Sequence, residues 1–154
     1  TAGIVLEAAN FEPVNIRKTR VEQGLNKESS YRVERELDPN LAETAAARAV
    51  ELIKQFGGKK VNILAIADAY PKKVKSWKIK LNLDYVNSLL GEKIQSVKIK
   101  KILEGLGMSA KISAKNFDVE IPTIRIDIKT QEDLIDEIGR IYGYENIPVK
   151  APII

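Results

Sequence analysis

Residues 122–148 read PTIRIDIKTQEDLIDEIGRIYGYENIP, and the second half of that run carries the periodicity of a helix. An α-helix turns about 100° per residue, so positions i, i+3 and i+4 share a face. Leu134, Ile138 and Ile141, flanked by Ile135 and Tyr142, make one apolar stripe that needs a core to dock on. Asp133, Asp136 and Glu137 fall together on the opposite face, and Asp127 precedes them on a stretch read as a strand. If that strand feeds straight into the helix, the four carboxylates converge, and convergent carboxylates are what a hard cation such as Mg²⁺ needs. The plainer reading stands beside it. Acids in a first helical turn interact favourably with the helix dipole, and an acidic face is usually just solvated. Mg²⁺ itself is commonly held by one or two carboxylates plus water.

Working outward, the 154 residues suffice for one sizeable core or two small ones. The chain opens Thr-Ala-Gly with no charged-then-apolar leader, which reads as a piece of a longer product. It has no Cys and no His. Without His the commonest general base near neutral pH and the commonest transition-metal ligand are gone, so Ser-His triads and zinc sites are excluded. Any metal must be held by oxygen, and any general base must be Asp, Glu, Lys or Tyr. No run of about 18 apolar residues suggests a membrane span, and a cytoplasmic location is the expectation. The formal charge of +4 permits a nucleic-acid partner without demanding one.

Along the chain, Gly3 to Ala9 is a short apolar run that predicts a buried strand with Glu7 at its end. Pro13 opens a helix that Gly24 closes, and Asn26 to Ser30 reads as a polar loop. Asp38-Pro39 is a helix start, with Asp able to cap and Pro preset for the first turn. Ala42, Ala45, Ala46, Ala49, Leu52, Ile53 and Phe56 then recur at helical spacing until Gly57-Gly58. Val61 to Ala67 predicts a further strand, and Tyr70-Pro71-Lys72-Lys73 a surface turn. We place a domain boundary there, giving domains 1–72 and 73–154.

The second domain starts with the alternating strand Trp77 to Leu81, then a capped helix from Asp84 to Gly91. A second helix follows from Ser96, and strands at Ala110 to Ser113 and Phe117 to Ile121 precede the acidic helix. The fold class is α+β. Two helices followed by a β-hairpin resemble a winged helix, in which the second helix, with Lys98, Lys100 and Lys101, enters a nucleic-acid groove. Against that, three lysines on a helix are ordinary solvation, and no Arg or aromatic is interleaved with them.

These residues together resemble the beta subunit of bacterial-type phenylalanyl-tRNA synthetases, almost end to end. In the tail the likeness is carried by Pro122, Arg125, Asp127, Glu132 to Ile138, Arg140 to Tyr144 and Asn146 to Pro148. Upstream it is carried by Leu6 to Phe11, Pro13, Ile16 to Lys18, Gly24-Leu25, Ser30 to Arg32, Glu34-Arg35 and Asp38-Pro39. The resemblance implies that residues 1–72 are the C-terminal part of a tRNA-editing module. It implies that 73–154 are the fifth, metal-carrying domain of that subunit, with a winged-helix-like fold.

It further implies that Asp127, Asp133, Asp136 and Glu137 bind Mg²⁺ at the contact with the alpha subunit. Glu7 falls where the family carries a glutamate in the pocket that clears mischarged tyrosine. A carboxylate suits that task because it accepts a hydrogen bond from a phenol that phenylalanine lacks. Lys27 and Ser29 fall in the loop lining the same pocket, where Thr and Ala are expected, and Glu36-Leu37 stands where a Gly and an aliphatic residue are usual. The parent enzyme, two alpha and two beta subunits, charges tRNA with phenylalanine using ATP. The part read here is expected to be inactive alone and to bind no ATP itself. The rival readings are a winged-helix nucleic-acid binder and a metal-free protein interaction module docking through Ile141 to Pro148.

An editing module present only in part leaves apolar surface uncovered, so the isolated chain should self-associate. Light scattering over a concentration series tests this, and a monodisperse monomer counts against it.

Overall fold

A computed structural model describes residues 3–57 and 61–148. Two compact units part between Val74 and Lys75. In the first, helix α1 (Pro13–Gln23) begins where the Glu12 carboxylate accepts hydrogen bonds from the backbone N–H groups of Val14, at 3.2 Å, and Asn15, at 2.6 Å. It ends at Gly24, whose left-handed φ of 64° a side chain would oppose. Helix α2 (Glu28–Val33) follows after four residues. Residues 26–30 are thus not all loop: the Ser30 hydroxyl accepts from the Lys27 N–H at 3.2 Å and so initiates a helical turn that no apolar period announces. Arg20 ties the two helices together. It pairs with Glu34 at 2.6 Å in a largely buried setting, bonds Asn26 and lies 4.6 Å from the centre of the Tyr31 ring.

Helix α3 (Leu41–Gly57) starts just beyond Asp38-Pro39. The Asp38 carboxylate accepts from the N–H of Asn40 at 3.0 Å, and the Pro39 carbonyl accepts from that of Ala42. The two predicted strands of this unit do not form. Residues 3–9 and 61–67 lack ladder partners, and all but Val61 are exposed along their length. A strand exists only by pairing, and no described segment of this unit pairs with either run. Among the described residues, every fully buried apolar side chain lies in the second unit.

There, strands β1 (Trp77–Asn82), β2 (Ser109–Ser113) and β3 (Asn116–Ile121) form an antiparallel sheet of order β1-β3-β2. Ile79 faces Val119 and Leu81 faces Phe117 in the β1–β3 ladder, while Ala110 faces Val119 across β2–β3. Alternation along each strand puts this set on one side, where it is buried. Helix α4 (Leu83–Leu90) is capped by Asn82, whose side-chain oxygen accepts from the Tyr85 N–H at 2.9 Å; the cap is thus two residues earlier than Asp84. Helix α5 (Ser96–Gly105) adds Ile99, Ile102 and Leu103 to the core.

Pro122 ends β3, and two successive turns carry the chain on. The Arg125 N–H donates to Pro122 O at 3.0 Å and the Ile128 N–H to Arg125 O at 3.2 Å. Asp127 therefore lies on a turn and not on a strand, because these local bonds satisfy backbone groups that a ladder would otherwise need. The Trp77 indole N–H donates to Ile128 O at 3.0 Å and holds this segment to the sheet. Helix α6 (Gln131–Tyr142) then buries Leu134, Ile135 and Ile138 on the core, with Tyr142 packed beside them. Ile141 does not join that stripe; it is 47% exposed, beyond the edge of the core.

Two backbone positions yield predictions. Glu36 holds a left-handed φ of 66°, unfavourable for a residue with a Cβ. Glu36→Gly should therefore raise stability by about 1 kcal/mol in urea denaturation of the first unit. At Gly143, with φ 94°, an added Cβ would be strained by the backbone and would run into the Glu145 side chain. Gly143→Ala should lower the melting temperature, and an unchanged melt would contradict the described exit from α6.

Candidate functional site

The junction between the turns and α6 holds all four acids singled out above, each already occupied. Asp133 turns back as a cap. Its Oδ2 accepts from the N–H groups of Lys129 and Thr130, both at 2.8 Å, while the Thr130 hydroxyl accepts from the Asp133 N–H. This reciprocal capping box satisfies donors that the first turn of α6 leaves open. Asp136 accepts from the Tyr144 hydroxyl at 2.7 Å. Asp127 receives a two-pronged Arg125 guanidinium, with Nε at 3.0 Å and Nη2 at 2.6 Å. Glu137 takes the same Nη2 at 3.0 Å on one oxygen and Arg140 on the other.

Burial ranks these pairs. The Glu137 side chain is 15% exposed and that of Arg125 20%, against 57% for Asp127. A partly desolvated charge pair is screened less by water and salt, which favours Arg125–Glu137, whereas the two-pronged and shorter contact favours Arg125–Asp127. The Arg125 guanidinium holds the Asp127 carboxyl below its ordinary value, with burial opposing. The backbone N–H groups of Lys129 and Thr130 do the same for Asp133, and the Asp127 charge works against them. The Tyr144 phenol is pushed up by its bond to Asp136, and the Tyr85 phenol by its bond to Glu132.

The donor set is right for a hard cation in kind, being oxygen throughout. As arranged it does not fit one. Among the described residues no three or more acids are gathered as metal ligands, since the helix start, Tyr144 and two arginines each draw one away. Arg125 was missed as a member of this site. Its signal was its place two residues before Asp127, and what it lacked was any sequence link to Glu137.

Glu7, Lys27 and Ser29 are brought together less. Glu7 is exposed on the extended segment, Lys27 precedes α2, and Ser29 lies exposed in its first turn. Of the three lysines on α5, Lys98 lies 4.1 Å from the centre of the Tyr142 ring and Lys100 pairs with Glu104 at 3.6 Å. Ile141, near the end of α6, and Tyr144, just beyond it, are exposed. No helix among the described residues is long and apolar enough to cross a membrane.

Comparison with known proteins gives this arrangement a context. Residues 79–144 match the tRNA synthetase B5 domain, and residues 1–58 match the B3/4 domain. The chain thus joins two domains of an aminoacyl-tRNA synthetase. The phenylalanine-tRNA ligase beta subunit of Thermotoga maritima is 39% identical over 151 residues, covering 98% of this chain and 19% of that protein. The beta subunit of Clostridium acetobutylicum is 36% identical over 148 residues, covering 96% and 19%. A solved N-terminal fragment of the phenylalanyl-tRNA synthetase beta subunit from Pyrococcus horikoshii shares 26% identity at a TM-score of 0.44, over 48% of this chain and 21% of that one. The chain belongs to the family of phenylalanine-tRNA ligase beta subunits, and spans about a fifth of the length of the curated relatives it matches.

The depressed acids have a testable consequence. A carboxyl whose folded pKa lies below its unfolded value stabilises the fold above the unfolded value, near pH 4, and that stability is lost as pH falls through the folded pKa. Asp127 and Asp133 are both of this kind. Asp133→Asn should cost about 1 kcal/mol at pH 7, as a weakened cap does, and should flatten the loss between pH 5 and 2. Urea midpoints across that range read both effects; an unaltered acid limb would rule out the cap as its source.

Proposed function

We propose that this chain is a working part of a phenylalanine-tRNA ligase beta subunit, contributing tRNA binding, proofreading architecture and contact with the alpha subunit, in the cytoplasm. The observation that carries the reading is sequence identity of 36–39% sustained over 96–98% of the chain, across both units. The parent reaction is ATP-dependent charging of tRNA with phenylalanine in an assembly of two alpha and two beta subunits. The chain has no His and no Cys, and in this reading it serves positioning, the chemical step being left to the rest of the assembly.

In this reading 1–72 is the C-terminal part of the editing module and 73–154 the metal-carrying domain. The helix–helix–hairpin run α4, α5, β2, β3 supports a winged-helix-like description of the latter. Asp127, Asp133, Asp136 and Glu137 are the proposed ligands for Mg²⁺, which supplies charge neutralisation among neighbouring carboxylates when bound. Their engagement with internal donors makes occupancy conditional on the alpha subunit. Glu7 is the proposed selector of a phenol, with Lys27 and Ser29 assigned to the editing loop, in a pocket completed by the remainder of the beta subunit. A free-standing groove binder is less well supported, because Lys98 and Lys100 are spent on Tyr142 and Glu104.

Mixing the chain with a phenylalanine-tRNA ligase alpha subunit should give association that strengthens with Mg²⁺. Asp136→Asn with Glu137→Gln should remove the Mg²⁺ dependence and leave the circular dichroism spectrum unchanged. Absence of any association would sink the subunit-contact role.

A further inference from the structure

The chain leaves the first unit through residues 70–74, and that stretch is fastened before it reaches the boundary between Val74 and Lys75. Three groups close a ring of hydrogen bonds. The Val74 N–H donates to the Tyr70 hydroxyl oxygen at 3.1 Å, the hydroxyl donates to Asn40 Oδ1 at 3.2 Å, and Asn40 Nδ2 donates to the Val74 carbonyl at 3.3 Å. The bonds run in one sense round the ring, so each polarises the next. Asn40 is itself fixed, because its backbone N–H donates to the Asp38 carboxylate at 3.0 Å just before α3. Beyond the boundary the second unit takes hold at once: the Ser76 hydroxyl donates to Glu120 at 2.6 Å, and Trp77 pairs with Ile121 as β1 begins. Between the two anchorages stands Lys75.

We infer that Asn40 and Tyr70 form a latch that holds residues 71–74 to the start of α3, with Lys75 as the free link to the second unit, and that opening the latch lengthens the tether between the units. Residues 71–74 are exposed and belong to no helix or strand, so these bonds, and not packing, hold them. A fully extended residue spans about 3.5 Å, and release of 71–74 therefore adds up to roughly 14 Å of reach. Hydrogen bonds at the surface compete with water, so the ring opens at far smaller cost than either unit unfolds. Asn40 suits the position because one side-chain amide both accepts and donates, which neither a carboxylate nor a methyl group can do.

The test is limited trypsin digestion of the full chain and of its Asn40→Ala, Tyr70→Phe and doubly substituted variants, read by mass spectrometry. Proteolysis needs the residues around the scissile bond free to extend. Cleavage after Lys72 and Lys73 should be about fivefold faster in either single variant, as loss of one hydrogen bond implies, with cleavage after Lys54 inside α3 unchanged. The double variant should be little faster than either single one, because breaking the ring at one place opens it. Equal acceleration at Lys54 would overturn the inference, since the substitutions then loosen the whole unit. Acceleration that multiplies in the double variant would also overturn it, leaving two separate contacts and no latch. Nitrogen-15 relaxation of the β1–β3 amides should show faster tumbling of the second unit in Tyr70→Phe, and unchanged tumbling would remove the lengthened tether. In the unsubstituted chain the Val74 amide should exchange with deuterium several-fold more slowly, relative to its unstructured rate, than the Lys75 amide. This arm decides the matter if Asn40→Ala fails to fold: like exchange at the two positions would show that no latch exists.

Discussion

Docking of α6 onto the sheet and its neighbouring helices is the contact on which the candidate site depends. Leu134, Ile135 and Ile138 are fully buried, and each such side chain contributes roughly 1.5–3 kcal/mol by leaving water. Once that stripe is fixed, helical geometry leaves Glu137 no freedom. It must lie at the border of the core, facing the turn segment, where its charge is partly desolvated and requires a partner. The turn segment is itself held to β1 by the Trp77 indole. Arg125 and Glu137 meet because two separate anchors, one apolar and one hydrogen-bonded, bring their backbones to a fixed separation.

The same logic explains why the four acids take four different roles on a single helix start. Asp133 sits at the third helical position after Thr130, so its carboxylate is drawn to open backbone donors before any external ligand arrives. Asp136 is one turn further on, within reach of Tyr144 once Gly143 turns the chain back. Gly139 lets that return run close, since a Cβ there would lie 3.1 Å from the Tyr144 ring. The apparent acidic face is therefore a set of local structural bonds, and its availability to a cation is a matter of competition.

The two units differ in what holds them. The second has a continuous apolar core beneath a three-stranded sheet. The first relies on Arg20, with its ion pair to Glu34 and its stacking on Tyr31, and leaves the apolar side chains of its extended segments in water. Within a family whose relatives are some five times longer, that contrast fits a unit which completes its packing in a larger whole and one which packs by itself.

Much of the fold could be read from local pattern. The 3.6-residue period of α3 and α6, the alternation of β1 and β3, the Pro openings and the Gly closures are consequences of backbone sterics and apply residue by residue. The four acids and their order were equally visible. What local pattern could not decide was every feature that needs a partner distant in the chain. The runs at 3–9 and 61–67 have strand-like composition, yet a strand forms only where another offers its hydrogen bonds. Asp127 alternates with its neighbours as on a strand, yet Pro122 and two turn bonds divert it. The engagement of Glu137 by Arg125, twelve residues apart, depends on where the sheet places the turn. Sequence determined which charges this protein has and which helix carries them; tertiary packing decided which of them neutralise one another.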